Sequence, residues 1–345
     1  MTEETPSNKR ILLSGMALGF LVGSGLMAWI FSIVAANSQN AGTADQVVLK
    51  LGHALDQEHP VHVAMEFMAQ RAAELSGGKV VIEVFPNGQL GTETDCIEQV
   101  QRGALALVKT STAPMEGFIP EMALFGLPYL FRDEDHYWKV LLSPIGQELL
   151  QKGTGTGMRG LCYYDSGSRS FYTTKKPILS PADLKGQKIR VMRSKMSMNM
   201  ISQMGGSPTP IPWGELYTAL QQGMVDGAEN NAPSFFTSRH FEVSKFYSLD
   251  EHTRIPDIVL LSEEIWEKLT PQVQEWVLQA ANESVEFQRK LWQEQTARNL
   301  EELQQAGVKV YYPDKEPFRE IVKPLYAEFE GTEIGEYVKR IQAVQ

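Results

Sequence analysis

A chain of 345 residues with 43% hydrophobic content is long enough for two domains with buried cores. Its formal net charge of −10 argues against a nucleic-acid partner, which would need a basic footprint, and is compatible with a local cationic pocket for a small anion. Cys96 and Cys162 are too few for a disulfide framework, and each lies in an apolar periodic segment, as buried free thiols do.

Lys9 and Arg10 precede an uncharged run over residues 11–36 that is long enough to span a bilayer as a helix. Its length favours an uncleaved anchor, whereas Val34-Ala35-Ala36 has the small residues of a signal-peptide cleavage site. In either case the basic residues stay cytoplasmic and the chain after Asn37 faces the periplasm or its equivalent. Residues 47–51 predict a buried strand, 61–75 a helix stopped at Ser76-Gly77-Gly78, 80–85 a second strand, 92–102 a helix and 104–108 a third strand. Helices alternating with short apolar strands predict an open sheet covered on both faces, with ligands outside the carboxyl ends of its strands. That places the loops at His53, at Thr110 with Ser111, and at Tyr164 near a site.

Several constellations carry no chemistry in this context. Gly155-x-Gly157-x-x-Gly160 matches a dinucleotide fingerprint formally, but it precedes the strand 161–164 instead of linking a strand to a helix. His53, His59 and His62 lack the spacing and companions of a metal site and are expected as solvated loop and helix residues; no metal or cofactor is expected. Asp133-Glu134-Asp135 lacks a calcium-loop pattern and reads as a helix N-terminus. Thr270-Pro271 starts a helix with no strong breaker before Gly307, roughly 50 Å at about 1.5 Å per residue.

The densest stretch is 180–231. It opens with a capped turn, a glycine stop and a strand that carries Arg190, and continues through a proline-stiffened loop presenting Trp213 ahead of an amphipathic helix. It closes on Asp226-Gly227-Ala228-Glu229-Asn230-Asn231, so that cation, aromatic face and amide lie together as a pocket for a small polar anion requires.

The motifs Ala182-Asp183-Leu184-Lys185-Gly186-x-Lys188-Ile189-Arg190-Val191, Gly206-Ser207-Pro208-Thr209-Pro210, Glu215-x-Tyr217-x-Ala219-Leu220-Gln221 and Val225-Asp226-Gly227-x-Glu229-Asn230 occur in this order. With Pro86-Asn87-Gly88-Gln89-Leu90-Gly91 and Leu127-Pro128-Tyr129, they resemble the solute-binding proteins of tripartite ATP-independent periplasmic (TRAP) transporters, the DctP-type family, from about Val47 to the end. The resemblance implies a two-lobed α/β periplasmic binding protein with a long helix across both lobes. Approximate divisions are 45–167 with 256–295, and 168–255 with 296–345, after a signal or anchor with linker over 1–44.

It also implies that Arg190 clamps a ligand carboxylate, that Arg169 approaches from the strand crossing between lobes, that Asn230 faces the ligand and that Trp213 packs on it. His53 and Ser111 are placed by their loops for hydroxyl contacts, and Glu229 is the nearest carboxylate. Arg193 departs from the asparagine of the sialic-acid branch and weighs against a sialate. The run Asn230-Asn231-x-Pro233-Ser234-Phe235 with Thr237-Ser238-Arg239-His240 resembles the hexuronate branch. The expected function is therefore capture of a sugar acid by an arginine–carboxylate clamp, without catalysis, for a small and a large TRAP membrane subunit. A C4-dicarboxylate binder, for which Arg193 would supply a second cation, is the alternative. A membrane-anchored sensor and a periplasmic lyase using Glu229 and His53 stand behind it.

Overall fold

The computed structural model describes residues 46–345. The apolar run 11–36, and with it the choice between anchor and signal, lies outside the described residues. Among those described, no helix is long and apolar enough to cross a membrane.

The chain begins a first sheet with β1 (Val47–Gly52), α1 (Pro60–Ser76), β2 (Val80–Phe85), α2 (Glu93–Gln101) and β3 (Leu107–Ser111). The third strand starts three residues later than its apolar run suggests. Gly103 takes a left-handed φ of 71°, and the amides of Ala104 and Leu105 donate back to the Gln99 carbonyl. These residues finish the helix before the strand can start. A short helix α3 (Thr112–Met115), a 3-10 stretch over Pro120–Gly126, α4 (Glu134–Leu142) and α5 (Pro144–Leu150) then lead to β4 (Met158–Tyr164). Asp133 caps α4 by accepting from the His136 amide at 2.7 Å, the helix-start role its acidic run predicts.

After residues 165–168 the chain builds a second sheet from β5 (Arg169–Thr173), β6 (Lys188–Val191), α6 (Lys195–Gln203), β7 (Ser207–Pro210), α7 (Leu216–Gln221), β8 (Gly227–Asn230), α8 (Ala232–Thr237) and β9 (Phe246–Thr253). Residues 254–256 return it to the first sheet as β10 (Asp257–Ser262), followed by α9 (Glu263–Lys268) and the 35-residue α10 (Pro271–Gln305). β11 (Lys309–Tyr311), α11 (Glu316–Ala327) and α12 (Glu333–Gln342) end the chain.

The first sheet has the order β2-β1-β3-β10-β4 and the second β11-β9-β5-β8-β6-β7. Each lobe is thus closed by a strand from outside its own sequential run, and β10 runs antiparallel to both its neighbours, making a mixed sheet of the first one. The loop expected at 207–210 is strand β7, paired parallel with β6. Pro208 and Pro210 are tolerated because β7 is the last strand of its sheet and needs donors on one side alone.

Helix α10 is unbroken, capped by Thr270 with Pro271 in its first turn. It packs on α1 and β4 of the first lobe and on α8 of the second. Phe67 and Phe287 stack at 4.4 Å, and Val277, Ala280 and Ala281 close the core of Leu49, Leu51, Met65 and Met68. Farther along, Leu303 joins Tyr172, Phe235 and Tyr247 under the second sheet. Gln288 holds the crossing segment at both its polar atoms: Oε1 accepts from the Asp165 amide at 2.8 Å, and Nε2 donates to the Asp165 carbonyl at 2.9 Å. Cys96 and Cys162 are buried free thiols.

His59 and His62, expected as solvated, are buried: His59 lies against Trp292 of α10 and Ser234 of α8, and His62 packs its ring 5.2 Å from that of His53. The His59 ring lies 5.8 Å from Trp292. Its Nδ1 accepts from the Val61 amide at 3.2 Å, so Nε2 carries the proton and donates to Ser234 Oγ at 3.0 Å. That bond joins the first lobe to the second, as does Thr237 Oγ1 donating to Asp56 at 2.7 Å.

Candidate ligand-binding site

A cleft of about 300 Å³ opens between the lobes and narrows to an inner cavity of about 40 Å³. Ala54 and Glu93 from the first lobe and Arg190, Met192 and Trp213 from the second line both spaces. Arg190 sits where β6 ends, 2% exposed. Its Nε donates to the Ile211 carbonyl at 2.8 Å, while Nη1 is buried without a hydrogen-bond partner. No carboxylate of the described residues pairs with it. Burial pulls its pKa below the ordinary arginine value, yet guanidinium stays charged at any physiological pH. The nearest cover is Trp213, whose ring centroid lies 5.7 Å from the guanidinium carbon. His240 packs on that indole at 4.9 Å and is itself held at about 3, by burial and then by Arg190, so it is neutral and adds no competing cation.

Arg169 is fixed differently. Its Nε and Nη2 donate to the Glu229 carboxylate at 2.5 and 2.8 Å, and Nη1 donates to Asn230 Oδ1 at 2.9 Å. Burial works against the charge of Arg169, and the Glu229 carboxylate more than restores it. Burial alone would raise the Glu229 carboxyl; Arg169 and His252 outweigh it and hold it at about 2. His252, buried beside Asp250 at 2.8 Å and Glu229 at 3.5 Å, keeps its proton to about 9, the carboxylates overcoming the cost of burial.

The structure brings Arg190, Arg169, Asn230, Trp213 and Ser111 around one inner cavity, while Arg193 lines the outer cleft with an exposed side chain. Two expected members stand behind the wall. Glu229 does not line the cavity, because Arg169 and His252 consume its carboxylate. His53 is buried outside the lining: its Nδ1 accepts from the Leu55 amide at 3.2 Å and its Nε2 donates to His62 at 3.0 Å. Burial, then Lys109, depresses it to about 2, so it is a neutral structural residue. The lining also contains His59, expected as solvated, Asn231 and Ser234 of the hexuronate-like run, and Lys109 and Asp257, which sequence reasoning passed over. Lys109 and Asp257 become neighbours through the β3–β10 pairing, which no local pattern reports. Among the described residues no group of three or more His, Cys, Asp or Glu could hold a metal ion.

These pKa shifts set a pH profile for the fold. His53 and His240 have folded values below the ordinary 6.5, so the folded state resists their protonation and stability falls as pH drops below about 6.5. Glu229 adds a loss below its ordinary 4.5, extending toward about 2, whereas Asp257, raised to about 6, offsets part of the acid loss. His252 acts oppositely: its contribution is complete below 6.5 and lost as pH rises through about 9. Urea unfolding across pH 5 to 9.5 should therefore show maximal stability near neutrality, and His252→Gln should flatten the alkaline limb. An alkaline limb unchanged in that variant would contradict the assignment.

Two α/β lobes bridged by one long helix, around a cleft in which the buried Arg190 has no carboxylate partner, define a two-lobed solute-binding protein of the periplasmic type. The chain belongs to the DctP family, bacterial extracellular solute-binding protein family 7, whose model matches residues 51–332. It is similar to a TRAP periplasmic solute-binding protein from a Bradyrhizobium species, solved with α/β-D-galacturonate: 44% identity, TM-score 0.83, covering 86% of this chain and 99% of that one. A homologue from Xanthobacter autotrophicus with bound β-D-galacturonate is 40% identical at TM-score 0.84, over 86% of this chain and 100% of that one. One from Roseobacter denitrificans with bound β-D-glucuronate is 36% identical at TM-score 0.84, over 87% of this chain and 100% of its own. The family consists of extracytoplasmic solute-binding proteins, not enzymes.

Proposed function

We propose that this protein captures a hexuronate, D-galacturonate or D-glucuronate, by seating its carboxylate on Arg190, and delivers it to the small and large membrane subunits of a TRAP transporter. The observation that carries this is the buried Nη1 of Arg190 with no protein partner, since a charged donor is withheld from water at the bottom of a cleft without an anion to meet it. Solved relatives at 36–44% identity hold galacturonate or glucuronate, and another at 36% holds D-erythronate, so sugar acids with one carboxylate are the ligands that support the substrate class. Arg169 acts mainly as a scaffold, orienting Asn230 through Nη1, and Trp213 offers a flat ring to the apolar face of a sugar. The lobes, 45–167 with 256–295 and 168–255 with 296–345, close as a shift between populations, favoured by a ligand that touches both. Residues 11–36 carry the chain to the far side of the inner membrane, as a signal or as an anchor.

A C4-dicarboxylate is favoured by one feature, the exposed Arg193 in the outer cleft. Against it, Glu93 lines the inner cavity as a carboxylate with no ion-pair partner among the described residues, which disfavours a second ligand carboxylate and suits a hydroxyl donor. A thermal-shift panel on the purified full chain, with galacturonate, glucuronate, succinate, malate and sialate at millimolar concentration, separates these. A ligand at about 1,000 times its Kd adds about 4 kcal/mol. A raised Tm with hexuronates alone is expected; a shift with succinate or malate alone would replace the hexuronate by a dicarboxylate.

A further inference from the structure

The wall of the inner cavity carries an ion pair that the arginine clamp leaves without a task. Lys109 on β3 and Asp257 at the start of β10 meet with Nζ and Oδ2 2.6 Å apart, their side chains 4% and 7% exposed. The antiparallel register sets Asp257 opposite Ser111 and Val259 opposite Lys109, so Lys109, Ser111 and Asp257 stand on the same face of the sheet. Both charged residues line the inner cavity together with Arg190.

A buried ion pair is a poor choice for stability alone, because well-packed apolar residues of similar volume do as well or better. Burial raises the Asp257 carboxyl to about 6 even with Lys109 in contact. The contacts leave valences unused: one ion-pair contact engages Oδ2 of Asp257 and the Lys109 ammonium, and no other hydrogen bond or ion pair within the described protein engages either side chain. Oδ1 can therefore accept from a ligand hydroxyl, and the remaining ammonium protons can donate to a neighbouring ligand oxygen. Two adjacent hydroxyls on a sugar ring present that donor and acceptor side by side.

We infer that the Lys109–Asp257 pair is the hydroxyl reader of this site, gripping a vicinal diol of the sugar acid whose carboxylate Arg190 holds, an inference that rests on the hexuronate function proposed above. Arg190 alone accepts any small carboxylate. The ion pair adds the requirement for neighbouring hydroxyls, because a ligand without them leaves both buried charges unsatisfied on the cavity side.

The test is a cycle between ligand and protein, by calorimetric titration of the full chain with galacturonate, glucuronate and their monodeoxy analogues. On the unaltered protein, loss of one hydroxyl, or of either of two adjacent ones, should weaken binding about tenfold or more. Asp257→Asn should weaken the parent sugar acid by a similar factor and then bind parent and critical deoxy analogue within about twofold of each other. If Asp257→Asn fails to fold, the double variant Lys109→Met with Asp257→Asn, which buries no lone charge, carries the same comparison. Deoxy analogues that all bind like the parent, an unchanged affinity of the variants, or strictly additive losses would each overturn the inference. Failure of the unaltered protein to bind any hexuronate is a distinct result: it would sink the proposed function itself, and the hydroxyl reader with it.

Discussion

Replacing Arg190 by alanine is expected to raise the Kd for the hexuronate about 30-fold or more while leaving the ligand-free protein at least as stable as before. The two halves of that expectation come from one feature. Truncating one partner of a buried, hydrogen-bonded charge pair costs about 2–5 kcal/mol, about 30- to 5,000-fold in affinity, and here the partner is the ligand carboxylate. Without ligand, Arg190 is 2% exposed and its Nη1 is unsatisfied, so the fold already bears an unpaired buried cation. Removing it should relieve that cost, a local conflict of the kind function imposes on stability. Arg190→Lys should fall between, keeping the charge and losing the planar pair of donors. Calorimetric titration with a parallel thermal melt checks both halves. Weak binding together with a large drop in Tm would assign Arg190 to the fold instead of the ligand.

The second large effect has the opposite signature. Glu229→Gln should cost about 3–5 kcal/mol of stability, the usual penalty for removing one member of a buried ion pair. The loss would strand two cations, Arg169 and the protonated His252, both within 4 Å of that carboxylate. Affinity should suffer secondarily, through Arg169 losing its hold on Asn230. Urea unfolding of the variant measures this. A change below about 1 kcal/mol would show that water or Asp250 already compensates these charges. Arg190 and Arg169 look alike as strand arginines and both line the inner cavity, yet only Arg169 is paired with a protein carboxylate.

Much of this architecture is legible in the residues themselves. Periodicity, caps and glycine stops define the helices and most strands, and α10 is readable because Thr270-Pro271 opens it and nothing interrupts it before Gly307. Arg190, Trp213 and Asn230 stand out because strand ends and a proline-stiffened loop are the local devices that present side chains to a cleft. The failures share a cause, which is dependence on partners distant in sequence. β7 contains two prolines and looks like a loop until its place at the end of the sheet is known. His59 looks solvated until Trp292 of α10 and Ser234 of α8 meet it, and His62 until the ring of His53 packs on it. Lys109 lies in an apolar segment, and its charge makes sense when β10 brings Asp257 beside it. Glu229 alternates correctly to face something, but whether that is ligand or Arg169 depends on the cross-strand register of β5 and β8.

The central claim is that a buried arginine awaits a carboxylate on a sugar. Titrating the purified full chain with D-galacturonate and D-galactose, which differ in the carboxylate at the sixth carbon, tests it most directly. Galacturonate, or glucuronate against glucose, should bind with a Kd at least a hundredfold below that of the neutral sugar. Equal affinity for acid and neutral sugar, or binding of neither, would contradict it.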